Sequence, residues 1–145
     1  MVRHVLVALD DSDPAWEAFS YALSAFEGEQ LTLLHVVDPM EGVYAGPDGG
    51  YADQETRERV RERARLLCDR AHDRAAELGA LETTVVETAI ESGRPARTLV
   101  EYAEEHDVDH VVVGSHGRSG VSRILLGSVA EAVARDSPVP VTVVR

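Results

Sequence analysis

Between residues 114 and 128 the chain reads GSHGRSGVSRILLGS, which sets Gly114, Gly117, Gly120 and Gly127 among polar residues and two arginines, Arg118 and Arg123. Glycine lets a backbone come close to a ligand and adopt positive φ, so that successive N–H groups converge on an anion. Ser128 and Glu131 have the spacing of a capping box, which predicts a helix N-terminus at Gly127-Ser128. Free N–H groups and the positive end of a helix dipole would then face the glycine-rich loop, a site suited to phosphate. The plainer alternative is that these glycines only make turns and Ser128 only caps. A second candidate is Asp10, which ends the apolar run RHVLVAL. An Asp after a strand often does no more than cap the next helix, but Asp13 is placed to do that here, which releases Asp10 for a ligand. Ser12 reads as a local turn former.

Other chemistries are excluded by residue type. All fourteen cationic residues are Arg, so no lysine exists to reach the terminal phosphates of a P-loop or to form a Schiff base. No G-x-S-x-G nucleophile elbow occurs, since Gly117-Arg118-Ser119-Gly120 is one residue short. DDSDPA stands where a dinucleotide enzyme would carry G-x-G-x-x-G. The six histidines show no metal-ligand spacing, and five of them read as structural; His116 differs by lying in the glycine loop. The single cysteine, Cys68, permits no internal disulfide and reads as a small helix-face residue, with a redox sensor as its alternative. No catalytic residue is assigned.

The net charge of −12 would repel a phosphate backbone or an anionic membrane, so nucleic acid and membrane are not expected partners. No apolar run approaches the roughly 18 residues of a membrane span, and charge returns by Asp10, too soon for a secretory leader, so a cytoplasmic location is expected. The acidic, lysine-free composition is that of a halophilic protein, or of a GC-rich genome.

The elements that must position these groups alternate. Residues 3–9 read as a strand. Asp13 as N-cap and Pro14 as first helical residue then begin a helix whose apolar face is Ala15, Phe19, Ala22, Leu23 and Phe26, ending by Gly28. Strands follow at 31–37, 83–90, 109–114 and 139–144, and helices at 53–79, 95–106 and 122–136. The 53–79 helix presents Val60, Ala64, Leu67, Ala71, Ala75 and Leu78, and its dense Arg and Glu read as a solvated face. Residues 38–52, with four Gly and two Pro, form a loop. The alternation predicts one domain over 1–145, an open α/β sheet with helices on both faces and ligand bound beyond the carboxyl ends of the strands.

With its spacing G-x2-G-x9-G-S at Gly114, Gly117, Gly127 and Ser128, the sequence resembles the universal stress protein family over essentially its whole length. The strand ending in Asp10 before Ser12, HVVDP at 35–39 and GRPA at 93–96 follow in the family's order. The resemblance implies a Rossmann-like five-stranded parallel sheet of order 3-2-1-4-5, homodimers, and a role in stress resistance or regulation. This pattern marks the ATP-binding branch. Carried over, Asp10 would contact the ribose, and Ala8 with Val36 would line the adenine pocket. Gly114 and Gly117 would line ribose and phosphate, while Gly127, Ser128 and Val129 would supply phosphate contacts. Arg118, His116 and Ser119 are adjacent candidates, and Mg or Mn would arrive with the phosphates. The homodimer is expected through the last strand, centred on Val141 to Val143. The expected function is a nucleotide-dependent regulatory module with an unnamed protein partner; a slow ATPase and a dimeric scaffold without nucleotide are the alternatives.

Overall fold

A computed structural model describes residues 2–39, 54–116 and 126–145. Its strands are β1 (His4–Ala8), β2 (Gln30–Val37), β3 (Val85–Ser92), β4 (His110–Gly114) and β5 (Val141–Val144), and its helices α1 (Asp13–Ala25), α2 (Gln54–Glu77), α3 (Pro95–Glu105) and α4 (Ser128–Asp136). The strands form one sheet of order β3-β2-β1-β4-β5, every pair parallel. The predicted order is therefore the observed one.

A central parallel strand is covered on both faces, so it can be apolar at every position. In β1, Val5, Leu6 and Val7 are fully buried, yet they serve two cores. Val5, Val7 and Leu9 pack with α1 and α2 residues such as Phe19, Leu23, Leu67 and Ala71. Leu6 packs on the opposite face with Leu99 and Ala103 of α3 and Ala130 and Val133 of α4. Helices thus cover both faces in pairs.

Several boundaries differ from expectation, each for a local reason. Ser12, not Asp13, is the N-cap of α1: it has extended backbone, and its Oγ accepts from the Ala15 amide at 3.2 Å. Asp13 is the first helical residue and Pro14 follows it, still within the turn where a missing N–H costs nothing. Leu78 lies beyond the end of α2 and is 60% exposed, because Gly79, at φ +73, turns the chain away. A 3-10 turn at Ala80–Glu82 delays β3 to Val85, and Thr84, which precedes it, is buried with its hydroxyl accepting from the Gly28 amide at 3.0 Å. β5 begins at Val141 rather than at 139: Pro140 has no N–H to give, and only its carbonyl joins the ladder, accepting from Val111 at 3.0 Å. The last helix is described from Ser128 onward, with Leu126 and Gly127 outside it; positions 122–125 of the predicted helix, and 40–52 of the predicted loop, lie outside the described residues.

Candidate functional site

The sheet order reverses direction at β1, so the connections after β1 and β4 leave toward opposite faces and a crevice opens between them. A cleft of about 480 Å³ lies there, within the ~300–1,000 Å³ usual for small-molecule sites. Ala8 and Asp10 reach it from the end of β1, Val36 from β2, Gly114 from β4, and Gly127, Ser128 and Val129 from the start of α4. Seven of the nine candidate residues are thereby brought together. The other two, Gly117 and Arg118, lie outside the described residues, as does Ser119.

Much of the lining is apolar: Leu34, Val36, Leu99 and Val113, with Ala8 and Pro95. Small residues at the carboxyl ends of β1 and β4 leave this space open. The polar groups are sorted across the sheet. Asp38 and Asp10 follow β2 and β1, on one side, and the first turn of α4 follows β4, on the other.

Asp10 is half-buried, and its Oδ1 accepts from both the amide of Ser12 at 3.0 Å and the hydroxyl of Ser12 at 2.5 Å. The residue that caps α1 therefore also orients the acid. Upstream, the Leu9 amide donates to the Leu34 carbonyl at 3.0 Å, and the Leu9 carbonyl accepts from Nδ1 of His35 at 2.7 Å. That bond places the neutral ring's proton on Nδ1 and leaves Nε2 an acceptor.

The start of α4 differs from the predicted capping box. Its N-cap is Gly127, in extended backbone with no side chain to cap, so Ser128 is the first helical residue and Glu131 donates its own amide to the Gly127 carbonyl at 3.0 Å. The Gly127 amide is also engaged, donating to the Ser115 carbonyl at 2.7 Å. The single N–H of Gly127 is thus committed within the fold. The N–H groups of Ser128, Val129 and Ala130 have no acceptor within the helix, as in any first turn, and all three residues line the cleft. Gly114 is glycine for a packing reason too. A Cβ there would stand 2.7–2.8 Å from the backbone carbon, carbonyl oxygen and Cβ of Pro14, so α1 rests its first turn against β4 at this point.

Sequence reasoning missed Asp38, Pro95, Leu99 and His35 as lining residues. The signal lies in HVVDP, where Val36 alone carries a site role, and in GRPA. His116 does line the cleft, its Nδ1 3.0 Å from the Ser115 hydroxyl. Two other histidines hold the sheet: His4 spans from Thr32 Oγ1 (2.7 Å) to the His106 carbonyl (3.1 Å), and His110 reaches Thr142 Oγ1 at 2.7 Å. Among the described residues no three metal-ligating side chains gather. Cys68 is buried, and that burial pushes its thiol up, away from the reactive thiolate. Among the described residues no helix is long and apolar enough to cross a membrane.

Comparison with known proteins matches this geometry to a family. YxiE of Bacillus subtilis is 32% identical over 154 aligned positions that take in all of both chains. The solved structure of UspA from Lactobacillus plantarum superposes with a TM-score of 0.81 at 28% identity, covering 99% of this chain and 97% of that one. A universal stress protein solved in complex with cAMP superposes at 0.73 with 28% identity, covering 99% and 97%. The profile of the universal stress protein family matches residues 1–145, and the chain belongs to that family.

Proposed function

We propose that the cleft binds an adenine nucleotide, ATP with a divalent cation, and that its occupancy acts as a regulatory or stress-resistance signal. The observation that carries the reading is the sorting of polar groups across the cleft. Carboxylates at Asp10 and Asp38 suit sugar hydroxyls, which can donate to them, and would repel phosphate. Three N–H groups with no acceptor within the helix, on the opposite side, suit phosphate and would not attract a second donor. The apolar lining of Val36, Leu34 and Leu99 has the character to take a base. The relative solved with cAMP supports an adenine nucleotide as the ligand class.

In this reading Asp10 accepts from the ribose, Ala8 and Val36 face the adenine, and the amides of Ser128 and Val129 hold phosphate oxygen. Gly114 and Gly127 keep the floor and mouth clear of side chains. Gly117 and Arg118 remain phosphate-side candidates. The cation, Mg or Mn, is held by the phosphates, since the described residues offer no cluster of their own for it. The reading extends to a cytoplasmic homodimer joined along β5, the half-buried edge strand.

Calorimetric titration with Mg-ATP, Mg-ADP and AMP tests the reading. We expect saturable binding by the wild type, a loss of about tenfold or more with Asp10→Ala, and abolition with Gly127→Val, which sets a branched side chain beside the helix amides. A wild type that gives no heat and no thermal protection with any of the three overturns it.

A further inference from the structure

Next to the cleft the chain does something unusual for a residue with a side chain: Asp11 sits at φ +65, in the left-handed region that glycine occupies freely. It is the one residue between Asp10 and Ser12. Its conformation therefore sets the direction in which Ser12 returns its amide and hydroxyl to the Asp10 carboxylate. Trp16 and Arg70 tether Asp11. Its Oδ1 accepts from the indole N–H of Trp16, on α1, at 3.0 Å, and from the guanidinium of Arg70, on α2. The Arg70 guanidinium in turn lies over the Trp16 ring, 5.5 Å from its centroid.

We propose that Arg70 and Trp16 are positioning residues for the cleft. By holding Asp11 in its left-handed conformation they hold the turn that aims Asp10, although neither lines the cleft itself. The inference rests on the nucleotide reading for its ligand and on the Asp11 geometry for its mechanism. The adjacent backbone is already fixed on the other side, where Leu9 bonds Leu34 and His35. The Asp11 turn is thus the part of the Asp10 setting that depends on side chains from two helices. Arg70 and Asp11 are both exposed, with side chains 57% and 41% accessible, so water screens the ion pair and the ring contact supplies much of the hold.

Glycine provides the test, because it needs no tether to adopt positive φ. Asp11→Ala and Asp11→Gly both delete the carboxylate, but only glycine adopts the conformation without a steric penalty. The variants are Arg70→Ala, Asp11→Ala, Asp11→Gly and the double change Arg70→Ala with Asp11→Gly. Each is read by Mg-ATP titration and, in the wild type, Arg70→Ala and Asp11→Ala, where residue 11 has a single Hα, by the strong amide-to-Hα nuclear Overhauser effect that a positive φ imposes. Arg70→Ala and Asp11→Ala are expected to weaken that signal and to lower affinity by roughly three- to tenfold, as the loss of one exposed pair and one cation–π contact implies. Asp11→Gly and the double variant are expected to bind like the wild type. Equal affinity for Asp11→Ala and Asp11→Gly, or an Arg70→Ala protein with unchanged signal and affinity, overturns the proposal. If the wild type takes no adenine nucleotide, the function proposed above fails alone. The Overhauser signal then decides: its loss in Arg70→Ala supports the tether, and its retention overturns it.

Discussion

The Ser12 hydroxyl lies 2.5 Å from the Asp10 carboxylate to which it donates, while it accepts from the Ala15 amide at 3.2 Å. One oxygen thus joins the start of α1 to the acid in the cleft.

Replacing Ser12 with Ala removes the N-cap and should cost about 1 kcal/mol of stability, a fall of a few degrees in melting temperature. Asp13→Ala should cost well under half as much, because Asp13 is the first helical residue and only its charge favours the helix N-terminus. Equal losses in paired thermal melts would return the cap to Asp13.

Gly114→Ala is expected to destabilise the fold by about 1–3 kcal/mol with no nucleotide present, because the new methyl meets the backbone and ring of Pro14 at 2.7–2.8 Å. Urea denaturation of the ligand-free protein checks this. An unchanged midpoint would assign Gly114 to ligand approach alone.

Stability should fall as pH drops below about 6.5. His110 packs against Phe26, its ring centroid 5.0 Å away, and burial, then the charge of Arg3, lowers its affinity for a proton below the ordinary 6.5. The unfolded chain therefore binds a proton that the folded chain refuses, in the window between the ordinary value and the lowered one. Stability is whole above that window and is lost as pH falls through it. Denaturation midpoints from pH 8 to pH 5 should show the slope, and His110→Gln should flatten it.

Added salt should raise the melting temperature, since a net charge of −12 repels itself and mobile ions screen that repulsion. Melts in low and molar KCl give the comparison; an unchanged midpoint would mean that the paired charges already offset the excess.

The sheet was legible in the sequence because its strands are short apolar runs separated by amphipathic helices, a pattern that composition and spacing express directly. Element starts were less so. Ser12 and Asp13 are both good capping residues, and nothing local tells which hydroxyl or carboxylate reaches the third amide. At α4 the Ser128–Glu131 spacing suggested a box, yet a tertiary bond decided the matter: the Ser115 carbonyl takes the Gly127 amide and fixes the cap one residue earlier. Residues of the cleft that ride on glycine-rich spacing were visible; Leu99 and Pro95 were not, because only the crossing of α3 over the sheet brings them beside Val36.

The central place of β1 also governs when the cleft can come into being. β1 pairs on one side with β2, which follows it closely in the chain, and on the other with β4, where the amide of His4 meets the carboxylate of Asp109 across 105 positions. During synthesis the first three strands emerge with their crossovers while much of the cleft lining does not yet exist. Closing so long a loop is a late and slow step. Until it happens, the β4 edge of β1, buried on both faces in the finished molecule, stands open to any strand within reach. A nascent chain of this design is most exposed to mispairing at the very seam where the cleft later opens.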